Sequence, residues 1–494
     1  MKIEDPINIM LDLEKKFNLF NIKVRDLKIW YFCRQEVNYR ISSSINSSVN
    51  GSKKIKKGER QIKANIKNNL KKILLYIKSL RWGTNDYEET DILCLSNNNM
   101  RREIEDGKEF DIIFDYIGKY LKGTSYSILN TFSGKQFTKN FYTEKCYNLT
   151  NYCLNIYLYK SYYNIVLRKE EIQYIREFFH EVEKYILEKY KLHVNITETV
   201  LRNTAALIKS YKYAYSVLEK IKPKVLYVEC AYSNLHLPFI YGAKSIGIKV
   251  VEFQHGVISN KHLGYLFNDA TPQKDPIPDY ICVYGSYSRR LLEDMNSNLK
   301  IKLIEYGYPY LNEKSIEVQN TSINKKYKYL ITTQGSVNYR YWRRFIKDLL
   351  EEDKNARILV KLHPNEINQY KDYYSNLLNN SRVEFATDKN VYECLKLSEI
   401  HLSSFSTCHY EAICCNIDTI VVMFPGWEHV NVLKKYGVKF VNTPLELINY
   451  LKNEKCGILF NKFKKDFFNI ENSELNTNDI GKKISNINNY FLQS

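Results

Sequence analysis

The sequence predicts an α/β protein built of two doubly wound parallel-sheet domains facing each other across a cleft, with an N-terminal helical extension. Three observations predict it. Short β-rich runs alternate with segments of helical spacing from Asp91 to Phe424. The alternation comes in two series, separated by a polar gap at Glu317–Lys326 that reads as an interdomain linker. Several strands stop at Gly, Pro or hydroxyl residues, as strands feeding ligand-facing loops do. Each series has the rhythm of a Rossmann-like half.

Residues 1–85 form the extension. Residues 1 to about 40 have helix-like spacing, and Ser42–Gly58 reads as a flexible Ser, Asn and Lys-rich loop. Lys63–Trp82 places Ile66, Leu70, Ile73, Leu74 and Ile77 on one helical face among lysines. It is either a helix packed on the domain or one lying on an acidic membrane surface. Residues 86–318 form the first Rossmann-like domain, expected to hold an acceptor. Its strands are Asp91–Ser96, Phe110–Ile117, Lys224–Cys230, Ile248–Gln254, Ile281–Gly285 and Ile301–Gly307. Helices fill Glu170–Lys222 and Pro238–Ile246. Residues 319–455 form the second, expected to hold a donor nucleotide. Its strands are Tyr329–Gly335, Arg357–Pro364, Arg382–Ala386, Ile400–Ser404 and Asp418–Phe424. Helices are expected near Trp342–Glu352 and over Glu366–Leu378, Val391–Leu397 and Cys408–Cys415. Residues 456–494 read as a closing helix or tail.

Composition narrows the function. The chain has 494 residues, 44% apolar and 26% charged, which fits a folded protein and not a disordered one. Lys and Arg number 73 against 55 Asp and Glu, a net charge of +18. That surplus favours an anionic partner: nucleic acid, acidic lipid or a phosphorylated small molecule. No apolar run approaches the ~18 residues of a spanning helix, and the acidic start MKIEDPINIMLDLEKKF is unlike a secretory leader. The expected location is the cytoplasm, peripheral at the inner membrane face. Eleven scattered cysteines without Cys-x-x-Cys read as reduced thiols.

The polar residues that a core would not choose sit at strand ends, where open parallel sheets hold their ligands. Gln254-His255-Gly256 ends one strand. An imidazole there can take a proton from a hydroxyl. Glu229 and His236 flank the neighbouring strand end as second-choice acid/base groups. Lys361-Leu362-His363-Pro364 presents a cationic or hydrogen-bonding pair suited to a phosphate-bearing ligand. Ser403–Thr407 leads into a helix, so Ser404, Ser406 and Thr407 offer hydroxyls beside backbone N–H groups. Glu411, one turn in, could accept bonds from ribose hydroxyls. The Thr332–Ser336 loop, with Gly335 and Ser336, could touch a diphosphate. There is no Gly-x-Gly-x-x-Gly, Walker loop or His-Glu-x-x-His, and no Asp-x-Asp to hold a metal-bridged diphosphate. The expectation is chemistry without a metal or cofactor, in which dipoles and side chains stabilise the departing phosphate.

Along these residues the chain resembles glycosyltransferases of the GT-B fold. It is most similar to the bacterial capsule, lipopolysaccharide and teichoic-acid group with a His-Pro motif, which includes polysialyltransferases, Kdo transferases and CDP-glycerol glycerophosphotransferases. The resemblance spans roughly residues 220–430. It rests on Gln254-His255-Gly256, Tyr284-Gly285, Tyr306-Gly307-Tyr308-Pro309, Lys361–Pro364 and Ser403–Thr407 with Glu411-Ala412. It implies donor-phosphate contacts at His363, Ser404, Ser406 and Thr407, and a base or phosphate contact at His255. The chain departs from the pattern at Gln254, where relatives often have Trp, and at Asn416 and Asp418, where they have Gly and Pro.

The expected function is metal-independent transfer of a CMP-, CDP- or UDP-linked sugar to a saccharide or lipid-linked saccharide in bacterial surface polysaccharide synthesis. Acidic inner-membrane lipids are a possible further partner. One rival is a nucleotide-sugar 2-epimerase on the same fold, which needs no acceptor. Another is a non-enzymatic nucleic-acid-binding protein. The basic residues are spread through the chain without a recognised nucleic-acid module, so nucleic acid is not the expected partner.

Overall fold

The computed structural model describes residues 5–49, 85–104, 106–121, 123–131, 140–267, 276–296, 301–321, 324–335, 337–454, 457–470 and 477–493. The Lys63–Trp82 segment and Ser336 lie outside them. The chain divides into two compact units. One runs to Val283 and adds Arg289–Ile304 and the chain from Lys482. The other comprises Tyr284–Ser288 and Glu305–Gly481. Both sides of the expected linker therefore lie in the second unit.

The first unit is built on a seven-stranded sheet. In chain order its strands are β1 (Ile92–Asn97), β2 (Tyr126–Thr131), β3 (Cys146–Asn148), β4 (Val225–Val228), β5 (Lys249–Phe253), β6 (Tyr280–Val283) and β7 (Lys302–Glu305). They lie side by side as β7-β6-β5-β4-β1-β2-β3. The pairs from β6 to β3 are parallel. This is the doubly wound order, in which succession reverses between β1 and β4. Every β4 residue is buried, as a central parallel strand covered on both faces requires.

The helices of this unit begin with α1 (Pro6–Lys16) and α2 (Trp30–Val49). Asp5 caps α1 by accepting from the Ile7 N–H at 3.1 Å, with Pro6 in the first turn. Helix α2 continues through Ser42–Val49, which the sequence reading takes as loop. Its serines satisfy themselves on the helix: Ser42 Oγ donates to the Asn38 carbonyl and Ser47 Oγ to that of Ser43. Phe110–Ile117, read as a strand, instead holds the end of a short strand and then helix α3 (Phe114–Gly118). The cause is Asp111, whose Oδ1 accepts from the N–H groups of both Ile113 and Phe114. Next come α4 (Thr150–Ser161), α5 (Lys169–Tyr190) and α6 (Thr197–Ile221). Helix α6 buries residues along most of its length, from Val200 to Ile221, and anchors the core. Lys222 closes it in the left-handed region at φ 48°, and Pro223 prevents continuation. Helix α7 (Leu237–Ser245) connects β4 to β5.

The second unit begins with α8 (Pro309–Gln319), which takes up the first residues of the expected linker. Its six-stranded sheet contains β8 (Tyr327–Thr332), β9 (Ile358–Lys361), β10 (Val383–Ala386), β11 (Ser398–Ser403), β12 (Asp418–Val422) and β13 (Lys439–Val441). The spatial order is β10-β9-β8-β11-β12-β13, with every pair parallel. Numbered from β8 this is 3-2-1-4-5-6, the Rossmann order, reversing between β8 and β11. Helices α9 (Tyr339–Glu352), α10 (Val391–Lys396), α11 (Cys408–Cys414) and α12 (Pro444–Asn453) connect or cover the strands. Helix α9 is strongly amphipathic and buries Trp342, Phe345, Ile346, Leu349 and Leu350 in this unit's core. Glu366–Leu378, read as one helix, is mostly turns around Tyr370–Tyr373, with Tyr374 and Leu377 buried. The chain ends in α13 (Phe460–Phe468) and α14 (Thr477–Gln493). Tyr227 of β4 donates to Asn488 of α14 at 2.5 Å.

Among the described residues all ten cysteines are free, and no helix is long and apolar enough to cross a membrane.

Candidate functional site

Strand succession reverses once in each sheet, and the residues just beyond the carboxyl ends there are the expected ligand positions. The predicted site residues fall into two groups, one at each reversal.

In the second unit, Thr332 ends β8 and Thr333-Gln334-Gly335 follow it. Ser403 ends the neighbouring β11. Gln334 Nε2 donates to the Thr332 carbonyl at 3.0 Å and to Ser403 Oγ. Gln334 is 6% exposed, and its Oε1 has no partner. A buried acceptor left open at a strand reversal is a costly feature for a fold to keep without a ligand. His363 follows β9 and docks on this loop. Its backbone N–H donates to Thr333 Oγ1 at 3.0 Å, and Thr333 donates in turn to Glu366. A Cβ on Gly335 would lie 3.0 Å from His363 Nδ1 and 3.2 Å from Asn365 Cβ, so the close approach depends on glycine. His363 Nδ1 accepts from the Asn365 N–H at 3.2 Å. Burial holds this imidazole below its ordinary value, so it is neutral near pH 7 and carries its proton on Nε2. That leaves an N–H donor suited to an anionic oxygen.

The other residues predicted here differ in their use. Lys361 opposes the upward push of burial on the Cys394 thiol of α10, and makes no hydrogen bond to His363 or the Gly335 loop. Ser404 Oγ donates to the Phe424 carbonyl at 3.3 Å, so its hydroxyl ties β11 to the end of β12. Ser406 Oγ accepts from the Cys408 N–H at 3.2 Å. Thr407 is exposed and makes no side-chain cap. Helix α11 has seven residues, so loop hydroxyls and His363 carry more of the case for an anion than a long helix end would. Glu411 is half-buried, with Oε1 accepting from Tyr392 of α10 at 3.1 Å.

In the first unit, Glu229 follows β4 and His255 follows the adjacent β5. Glu229 is 3% exposed and its Oε2 has no partner. Burial, then the nearby Asp111, pushes its carboxyl well above the ordinary range, against a bond from the Asn97 backbone and the charge of Arg101. Burial thus favours its protonated, uncharged form. His255 Nε2 lies 3.3 Å from the Tyr232 hydroxyl, which also meets His262 Nε2 at 3.0 Å. Burial lowers His255, opposed by the Glu229 backbone carbonyl, so it is a neutral base. The ring of Tyr232 lies over Gly264 and leaves no room for a Cβ there. His236 is wholly buried, its Nδ1 3.1 Å from the Cys230 carbonyl and its Nε2 3.2 Å from Thr131 Oγ1, and burial lowers it to about 4. That placement makes it a brace between strand ends.

Glu252 opens the same strand-end segment, Glu252–Gly256, and the sequence reading assigned it no role. It lies within β5, accepts from the Ala231 N–H at 3.0 Å and the Tyr265 hydroxyl at 2.9 Å, and is pushed up to about 7 by burial. A charged residue inside the apolar run KVVEF was the available signal. Arg34 braces the same region, its Nη1 donating to the Leu263 carbonyl at 2.6 Å.

No protein-family model matches the sequence, and no curated protein matches it. Solved structures do. UDP-GlcNAc 2-epimerase from Methanocaldococcus jannaschii aligns over 81% of this chain and 99% of its own, with 14% identity and a TM-score of 0.50. A variant of the wall teichoic acid polymerase TagF aligns over 86% and 99%, with 12% identity and a TM-score of 0.43. MurG from Acinetobacter baumannii aligns over 81% and 99%, with 10% identity and a TM-score of 0.41. At 14% identity the likeness to the epimerase is one of fold alone, and with the two parallel sheets it gives two Rossmann-like α/β domains of the GT-B class, as the sequence predicted.

Proposed function

We propose that the protein is a metal-independent glycosyltransferase acting on a nucleotide-activated sugar. The observation that carries this reading is the second unit's strand reversal. There the His363 N–H, the Gly335 backbone and the loop hydroxyls offer a polar, partly buried seat for a nucleotide phosphate, and Gln334 Oε1 offers an open acceptor to a donor group of the same ligand. Glu411, oriented by Tyr392, would receive the ribose. His255 would take the proton from an acceptor hydroxyl. The freed oxygen attacks the anomeric carbon, the bond from that carbon to the phosphate oxygen breaks, and the electron pair leaves with the nucleotide. The N–H of His363 would steady the charge that develops there. The acceptor is a saccharide or lipid-linked saccharide of a bacterial surface polysaccharide, and the +18 charge suits work beside acidic inner-membrane lipids.

A second reading is supported by the first unit's pair. Glu229, whose carboxyl burial shifts toward the protonated form, and His255, whose imidazole burial shifts toward the neutral form, could return and remove a proton on a sugar carbon, as 2-epimerisation requires. A thermal-shift panel of CMP-, CDP-, UDP- and GDP-sugars identifies the donor, since stabilisation follows the bound nucleotide. Incubation of that donor alone and with saccharide acceptors then decides. Transfer only with acceptor supports the glycosyltransferase, isomerisation without acceptor supports the epimerase, and no stabilisation by any of the four refutes both.

A further inference from the structure

The Gln334 amide, in the loop after β8, is locked from inside the protein. Its Nε2 donates to the Thr332 carbonyl at 3.0 Å and to Ser403 Oγ. A carbonyl oxygen carries only lone pairs, so the end of the amide that faces it must be the nitrogen. Both Nε2 hydrogens are therefore spent inward. The other end presents Oε1, an acceptor that brings no hydrogen of its own. That oxygen has no partner, in a residue only 6% exposed.

A run of buried groups behind the amide enforces the same orientation. Thr332 Oγ1 lies 2.9 Å from both Ser403 Oγ and His401 Nε2. The Nδ1 atoms of His401 and His409 each lie 2.7 Å from Thr419 Oγ1, and His409 Nε2 lies 3.3 Å from the Ser404 carbonyl. Burial lowers both imidazoles, His409 to about 4, which favours their neutral forms. The Ser404 carbonyl can only accept, so His409 donates to it and accepts from Thr419. His401 then donates to Thr419 and accepts from Thr332. Ser403 gives its hydrogen to Thr332, and the Ser403 oxygen accepts from Gln334. Turning the amide over would set Oε1 against the Thr332 carbonyl and take from Ser403 the donor it has, so the buried run fixes which atom Gln334 shows to a ligand.

We infer that Gln334 is a specificity residue of the donor seat: its Oε1 accepts a hydrogen bond from an O–H or N–H of the transferred sugar, so that the site prefers the sugar-bearing nucleotide to the bare one. This rests on the donor-site reading above. The parts of such a ligand differ in what they bring to an acceptor. Ionised phosphate oxygens only accept, so they and Oε1 repel each other. Gln334 immediately precedes Gly335, on which His363 packs, which sets Oε1 at the phosphate end of the seat. The ribose belongs to Glu411, held by Tyr392, and the nucleobase lies beyond the ribose. The group joined to the other side of the phosphate is the sugar, which carries hydroxyls and, in an amino sugar, an N–H. A ligand without a donor at that place leaves a buried acceptor unpaired, and buried polar groups discriminate in this way.

Titration calorimetry tests it, with UDP-glucose, UDP-N-acetylglucosamine, CDP-glucose, GDP-mannose and CMP-sialic acid each measured beside the bare UDP, CDP, GDP or CMP. One sugar nucleotide should bind wild type about tenfold more tightly than its bare nucleotide. Gln334→Met keeps the length of the side chain and removes the oxygen. It should erase that gain and leave the bare nucleotide within about twofold, whereas a merely structural role would weaken both ligands alike. Should the variant fail to fold, deoxyfluoro analogues of the same sugar decide on wild type. Fluorine cannot donate, so substitution at one position should cost about tenfold. No sugar gain in wild type, a gain kept in Gln334→Met, or equal binding of every deoxyfluoro analogue overturns this inference and leaves the donor site standing. No binding of any of these nucleotides or sugar nucleotides overturns the donor-site reading and this inference with it.

Discussion

The two sheets share a strand order but not the chemistry at their reversals. At β8–β11 the groups are buried hydroxyls, a buried amide and one half-buried imidazole, braced on a glycine contact. At β1–β4, together with the end of neighbouring β5, the groups are a carboxyl raised and an imidazole lowered by burial. The same topology thus carries hydroxyls and an amide at one reversal and, at the other, two titratable groups whose charged forms burial disfavours. Fold order places a site, and burial against hydroxyl content decides what the site does.

The largest effect expected from breaking this contrast is at His255. His255→Ala should lower transfer by about a thousandfold, the usual scale for losing a positioned general base. Its melting temperature and donor binding should stay unchanged, read by kinetics and thermal shift. Full activity would remove His255 from the chemistry.

Glu252 sharpens the first unit's side. Its carboxyl rises from 4.5 to about 7 on folding. The unfolded chain therefore holds fewer protons than the folded one between those values, and stability falls as pH rises through that window. The loss amounts to roughly 3 kcal/mol. Urea unfolding at pH 4.5 and pH 7.5 should show a fall in stability that is smaller in Glu252→Gln than in wild type by about that amount. Equal slopes in both would contradict the burial argument.

Smaller effects are expected at the second unit. Gly335→Ala pushes a methyl against His363 and Asn365, and should weaken nucleotide binding by about tenfold with little change in unfolding midpoint. Ser404→Ala should cost about threefold or less, because its hydroxyl is engaged with the Phe424 carbonyl. A large loss in Ser404→Ala would return that hydroxyl to the ligand.

Much of this was legible in the sequence where local pattern and tertiary role coincide. KVLYVEC and RILVKLHP are apolar runs ended by polar residues, and they are buried strands ending at the reversal regions. Legibility fails where side chains rewrite the local preference. Asp111 turns a β-rich run into a helix start, and serines that bond back onto α2 extend a helix through an apparent loop. Strand β13 has three residues, too few to show a period. His401 and His409 pass for ordinary residues of a strand and a helix; only their shared contact with Thr419 sets them apart.

The central claim is that a nucleotide phosphate sits at the second unit's reversal. Binding of CMP-, CDP-, UDP- and GDP-sugars to wild type and to His363→Ala, measured by titration calorimetry, tests it most directly. The account predicts that one nucleotide class binds wild type and that His363→Ala weakens it at least tenfold while the unfolding midpoint holds. Equal binding by the two proteins, or no binding of any nucleotide sugar to the wild type, would contradict it.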